Sequence, residues 1–121
     1  MSKLKYLSVA AFFSALFFGV AGMAMAQTQS TNEIRGIGTG WNQDQFIAYA
    51  PLGSITAAMN PAGCPNPDGY ASKIDYSGYK THLSTVQLAF ALGKALTYTV
   101  SNTPSDCLDG RPRLIGVTLY K

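Results

Sequence analysis

Alternation of apolar and polar positions, together with one longer periodic stretch, divides the chain into short strands and a single helix. Residues 33–37 can start a strand, with Ile34 and Gly36 on one face and Arg35 and Ile37 on the other. Residues 45–50 read as a second strand, with Phe46, Ala48 and Ala50 alternating against Ile47 and Tyr49. Pro51-Leu52-Gly53 is a turn, and 54–59 is a candidate third strand weakened by Ala57-Ala58-Met59. Residues 60–69 carry Pro61, Gly63, Pro65, Pro67 and Gly69 and are expected to be a loop around Cys64. A strand over 70–74 follows, with Tyr70, Ser72 and Ile74 on one face. The clearest element is a helix over 79–92. Tyr79, Leu83, Val86 and Phe90 recur at four- and three-residue steps, and Ala89 widens the stripe. Ser77 is the expected N-cap and Gly93 the left-handed terminator. Two strands close the chain. In 95–101, Leu96, Tyr98 and Val100 share a face; in 114–120, Ile115, Val117 and Leu119 do. The predicted core is Leu83, Val86, Phe90, Leu96, Tyr98, Val100, Ile115, Val117 and Leu119.

The start of the chain has a different character. Lys3 and Lys5 form a basic head, an apolar run follows from Leu7 to Val20, and Ala24-Met25-Ala26 presents small residues at the positions a signal peptidase inspects. The apolar run is short for a membrane span of about 20 residues, and Gln-Thr-Gln-Ser follows it at once. The expectation is a signal peptide over 1–26, cut before Gln27, and an exported domain over 27–121. The segment 27–32 is polar and is expected to fray.

Cleavage changes the charge picture. Lys3 and Lys5 leave, and the remaining domain of about 95 residues carries a net charge of about +1. With no basic cluster left to neutralise phosphates, nucleic acid is excluded as a partner. Export also bears on the two cysteines, Cys64 and Cys107. In an oxidising compartment the pair is expected to bridge, and only one connectivity exists. The spacing is not Cys-x-x-Cys, and the single His82 completes no standard zinc pattern with them.

Candidate chemistry is sparse. Gly36-x-Gly38-x-Gly40 has Trp41 where a dinucleotide fingerprint needs its third glycine region, and no helix follows. His82 and Asp75 can be drawn as a base and its orienter, but no serine sits in a recognisable nucleophile elbow, and His82 is expected to be exposed. The six acids are scattered, with no pair spaced for glycoside hydrolysis and no dense series for calcium. The prediction is a non-catalytic module with no metal and no cofactor. Trp41 is more informative: it stands among glycines beside Asn42, Gln43, Asp44 and Gln45. An indole face beside amide and carboxylate groups suits a pyranose, with its apolar C–H face and hydroxyl rim. A tryptophan lidding the core is the competing account. Tyr76 and Tyr79, flanking Gly78, admit both readings. The candidate ligand-binding residues are Trp41, Gln43, Asp44 and Gln45.

The second half carries a resemblance. A cysteine loop and a tyrosine-led strand precede Leu83-Ser84-Thr85-Val86-Gln87-Leu88-Ala89-Phe90-Ala91-Leu92-Gly93-Lys94; a Thr/Val strand follows, then Cys107-x-x-Gly-Arg-Pro-x-Leu-Ile-Gly-Val. This resembles the OB-fold B subunits of subtilase-cytotoxin-type bacterial toxins and their secreted relatives, over 64–121 and, by strand order alone, over 33–49. The resemblance implies a mainly β fold: a small five-stranded OB-like barrel with a helix before the last two strands. It also implies a ring pentamer, binding to sialylated glycans and a catalytic A subunit as partner. The family's sugar-contacting residues match no positions here, and fold alone does not fix function. Two functions follow as expectations: a secreted or periplasmic glycan-binding module, or a small structural or inhibitory protein that contacts a protein partner.

Overall fold

The computed structural model describes residues 27–40 and 44–121; the expected signal segment and residues 41–43 lie outside them. The elements are β1 (Gln27–Asn32), β2 (Gly36–Gly40), β3 (Gln45–Tyr49), β4 (Gly69–Lys73), helix α1 (Tyr79–Leu92), β5 (Leu96–Ser101) and β6 (Leu114–Thr118). Short 3-10 turns occupy Ala57–Met59 and Pro104–Asp106. The strands form two three-stranded antiparallel sheets, β1-β5-β6 and β2-β3-β4. One parallel bridge, Ala71 to Arg113, joins them, with the Ala71 N–H donating to the Pro112 carbonyl at 3.0 Å. The protein is therefore mainly β with one helix. Among the described residues the strand ladder does not close into a five-stranded barrel.

The first strand departs from expectation. Residues 27–32 do not fray; they pair with β5 along their whole length, from Gln27 opposite Ser101 to Asn32 opposite Leu96. Ser30 and Asn32 point inward and are buried. Burying hydroxyl and amide groups is tolerated only where they find partners, and Tyr70 supplies them. Its hydroxyl lies 2.9 Å from Ser30 Oγ and donates to Asn32 Oδ1 at 3.2 Å. Asn32 Nδ2 in turn donates to Ser54 Oγ at 2.9 Å. Two other strand expectations are corrected. Residues 33–35 form a connection, so only the end of the expected 33–37 strand belongs to β2, and 54–59 holds a 3-10 turn in place of a strand.

The main core contains Phe46, Ala48, Tyr70, Val86, Ala89, Leu96, Tyr98, Val100 and Leu114. The Tyr70 and Tyr98 rings stack at 4.1 Å between centroids. Helix α1 has the predicted bounds and ends at Gly93 in the left-handed conformation, φ 66°. Its N-cap is Gly78, φ 81°, not Ser77. That left-handed φ favours glycine, and a Cβ there would also stand 2.6 Å from His82 Nε2. Of the predicted helix stripe, Val86 is buried and Tyr79 and Leu83 pack partly against the core, but Phe90 is 48% exposed. The small Ala89 takes the inward position and is fully buried. In β6 the pairing shifts register between Thr99 and Val100: Val100 faces Leu114, Thr99 faces Gly116 and Tyr98 faces Val117. Ile115 is the extra residue of a bulge. Leu114 therefore takes the core place expected of Ile115, while Val117 and Leu119 pack partly against the core.

β3 is buried on both faces from Gln45 to Ala48. Its outer face carries Ile47, which forms a second small cluster with Ala71 and Leu108, flanked by Tyr49 and Tyr76. Two loops cover this face, and the Cys64–Cys107 disulfide joins them, as expected. Arg111 grips Asp68 with two bonds, Nε to Oδ1 at 2.5 Å and Nη2 to Oδ2 at 3.0 Å, and the Asn66 N–H donates to the Gly110 carbonyl at 2.8 Å. At Gly69 the strands approach so closely that a Cβ would meet the Ala48 carbonyl oxygen at 2.6 Å.

Candidate functional site

Asp44 sits in the β2–β3 connection with φ 48°, a left-handed conformation that aspartate tolerates better than most residues. It is exposed, and its carbonyl accepts from the Ile74 N–H at 3.0 Å, which ties this connection to the segment after β4. Gln45, next along, opens β3 opposite Lys73 with its side chain buried. Trp41 and Gln43 lie outside the described residues. Of the four candidate residues, then, the structure places Asp44 at the surface and Gln45 inside.

Next to this anchor is a cavity of about 340 Å³ lined by Ile74, Tyr76, Gly78, Tyr79, Lys80 and Thr81. The Tyr79 ring rests on Phe46 at 5.5 Å, tilted by 46°, so the core fixes it from below. Burial, and secondarily the negative charge of Asp44, raise the Tyr79 hydroxyl above its ordinary pKa. Tyr76 is held by cations: the Arg113 guanidinium lies 3.8 Å and Lys73 Nζ 4.9 Å from its ring centroid. Arg113 is itself steadied by Asp106, Nη1 to Oδ1 at 3.5 Å. Ile74 is half-exposed, and Lys80 and Thr81 are exposed. The result is a shallow site with aromatic and aliphatic walls and a rim bearing an ammonium and hydroxyls.

Sequence reasoning singled out Tyr76 and Tyr79 but passed over Ile74, Lys80 and Thr81. The available signal was local: a Tyr-Ser-Gly-Tyr turn entering a helix, with left-handed Gly78 between two aromatics that line the same cavity.

The base-and-orienter pair does not assemble. Asp75 pairs with Lys73 at 3.7 Å, while His82 hydrogen-bonds the backbone of Ile115, the bulge residue. His82 is half-buried, not exposed as expected, and its Nε2 is buried without a hydrogen-bond partner among the described residues. Burial therefore lowers its pKa from the ordinary 6.5, against a smaller opposing effect of the Ile115 bond. A histidine depressed in the folded state favours unfolding when it protonates. Its contribution is complete above pH 6.5 and is lost as pH falls through the folded value. The midpoint of urea denaturation should thus fall between pH 7.5 and pH 5. In His82→Gln the fall should shrink, because this is the only histidine in the chain. Equal falls in wild type and variant would assign the effect elsewhere.

Among the described residues no cluster of three or more histidine, cysteine, aspartate or glutamate side chains could hold a metal ion, and no helix is long and apolar enough to cross a membrane. Two further cavities lie away from the tyrosine site. One, of about 360 Å³, is lined by Arg35, Gly36, Tyr49, Ala50, Leu52 and Asp68. The other, of about 210 Å³, lies beside Glu33, Phe90 and Lys94 at the C-terminal end of α1. Comparison with protein-family models, curated proteins and solved structures gives no match to this chain.

Proposed function

We propose that this chain is an exported, non-catalytic binding module that recognises glycans at the Tyr76–Tyr79 cavity. The observation that carries this reading is the cavity itself: aromatic side chains fixed by the core and by cations, rimmed by Lys80 and Thr81, with Asp44 anchored to Ile74 through its backbone carbonyl. Such walls suit the C–H face of a sugar ring, and such a rim suits its hydroxyls. Trp41 and Gln43 precede Asp44 in the chain by three residues and one, and are proposed as further contacts. The buried Gln45 supports the strand end from inside.

Three parts of the sequence reading accompany this proposal. Residues 1–26 act as a cleaved signal peptide, which agrees with the disulfide. The order β2-β3-β4, bridge, β6-β5-β1 supports an OB-like barrel of the kind in the toxin B subunits that the second half resembles, with β1 and β2 taken as two arms of one first strand. The module self-associates, with a pentamer and a toxin-like catalytic partner as the resemblance implies. Helix α1 supports self-association. It carries no charged residue between Lys80 and Lys94, yet Leu88 and Leu92 are 53% and 57% exposed. The same face suits the second reading, in which the protein is structural or inhibitory and docks on a protein partner. Repeated identical sites would raise avidity without strengthening each contact.

A glycan array with Trp41→Ala and Lys80→Ala tests the proposal. Both variants should lose most of the array signal while the melting temperature moves by less than about 3 °C, as expected of side chains outside the core. If Trp41→Ala instead costs about 3–5 kcal/mol and no glycan alters tryptophan fluorescence, Trp41 belongs to the core and the glycan reading falls.

A further inference from the structure

A second cleft opens at the other end of β3. Asp44 marks the strand end near the tyrosine site, and Tyr49 and Ala50 mark the opposite one. At about 3.3 Å per residue the two sites stand roughly 17 Å apart. They share no lining residue.

The floor of this cleft is the Tyr49 ring. One side of that ring is taken by the Arg111 guanidinium, 5.7 Å from its centroid. On the β2 side stands Gly36, where an added Cβ would come no nearer than 4.0 Å to Tyr49 Cδ2. A glycine here leaves room over the ring that any larger residue would fill. Leu52, 88% exposed, forms an apolar lip.

Charge sets the polarity of the ligand. Asp68 lines the cleft, but Arg111 already neutralises it through two hydrogen bonds, at 2.5 and 3.0 Å. Arg35 lies at the same mouth. Its backbone N–H is anchored to the Tyr49 carbonyl at 2.7 Å, while its guanidinium makes no hydrogen bond or ion pair with any of the described residues. Glu33, two residues earlier, lines the separate groove beside Lys94. A planar cation with free donors, set beside an aromatic floor and an aliphatic lip, matches a carboxylate attached to a flat or short apolar group. We propose that this cleft is a binding site for such a carboxylate, with Arg35 receiving the anion and Tyr49 and Leu52 receiving the apolar group. Two sources share that chemistry: a free aromatic acid, and the C-terminus of a polypeptide ending in an apolar residue.

The experiment is a titration of the exported protein, disulfide intact, followed by amide chemical shifts. The probes are N-acetyl-phenylalanine, its carboxamide, and a six-residue peptide ending in phenylalanine with a free carboxylate. The acid and the peptide should shift the amides of Gly36, Tyr49 and Leu52, and the carboxamide should bind at least about tenfold more weakly, because it cannot form the charge-assisted pair. Arg35→Gln should weaken acid binding by a similar factor. Gly36→Val, a strand-compatible change, should abolish it by filling the space over Tyr49. A peptide that binds more tightly than the single amino acid identifies a polypeptide end as the ligand; equal affinities identify a free acid. The proposal is overturned if acid and carboxamide bind alike, if Arg35→Gln leaves the affinity unchanged, or if no probe shifts these amides at about 10 mM, beyond the weakest affinities of interest. None of these outcomes bears on the glycan site, which uses other residues.

Discussion

Tyr98→Ala is expected to destabilise the protein by about 3–5 kcal/mol, the range for removing a large aromatic from a core. Tyr98 is 1% exposed and occupies the middle of β5, the central strand of its sheet, opposite Ser30 on one side and Val117 on the other. Its ring stacks on Tyr70, and burial together with its neighbour drives its hydroxyl pKa far upward. Truncation removes that stack and leaves a cavity against the ring whose hydroxyl joins Ser30 and Asn32. The damage therefore spreads to the polar contacts that hold β1. Domains of this size have only about 5–15 kcal/mol of stability in total. Urea denaturation should show a much lower midpoint with a similar slope. A loss under about 1 kcal/mol would mean that the core collapses around the gap and that the stack matters little.

The second large effect concerns the disulfide. Replacing both Cys64 and Cys107 with serine should cost about 4 kcal/mol, the chain-entropy value for a closed loop of this length. The two half-cystines are separated by 43 residues, and Leu108, next to Cys107, packs with Ile47 and Ala71. Without the bond the two loops are held by the Asp68–Arg111 pair and by the Asn66–Gly110 backbone bond. A partly exposed ion pair contributes little alone. The melting temperature should drop by about 16–32 °C at this domain size, measured by calorimetry on the double variant beside wild type. A drop below about 5 °C would show that the two remaining contacts suffice.

The parts of the fold legible in the sequence were those set by near neighbours. Tyr79, Leu83 and Val86 repeat at helical spacing, and Gly93 supplies the left-handed stop, so the bounds of α1 could be read directly. Leu96, Tyr98 and Val100 alternate with threonines, and all three are buried. β1 was illegible because its inward residues, Ser30 and Asn32, are polar. Hydrophobic periodicity registers them as surface, and only the Tyr70 hydroxyl, some forty positions further along, makes them tolerable inside. The bulge at Ile115 was equally hidden. It exchanges the faces of Leu114 and Ile115 through a register shift against β5 that no local pattern records.

The candidate site divides in the same way. Composition around Trp41 and the Tyr-Ser-Gly-Tyr turn drew attention to two short stretches of chain. That Asp44 and Ile74 are hydrogen-bonded, which ties the start of β3 to the segment after β4, is visible only in the folded molecule. Likewise, Arg35 and Asp68 are unremarkable charges in the sequence. Only the fold ties Asp68 to Arg111 and sets Arg35 and Tyr49 in one cleft.

By itself, then, the sequence determined the helix and its stop, the inward face of β5, and the pairing of two cysteines that had no other partner to choose. The tertiary structure alone decided which polar side chains could be buried, which face of β6 turned inward, and that Ala89 took the inward place on the helix with Phe90 left at the rim. The physical reason is the range of the forces involved. Helical and strand periodicities express contacts a few residues apart. The burial of a serine, an asparagine or a histidine depends on a hydrogen-bond partner, which a distant segment can provide and the local pattern cannot announce.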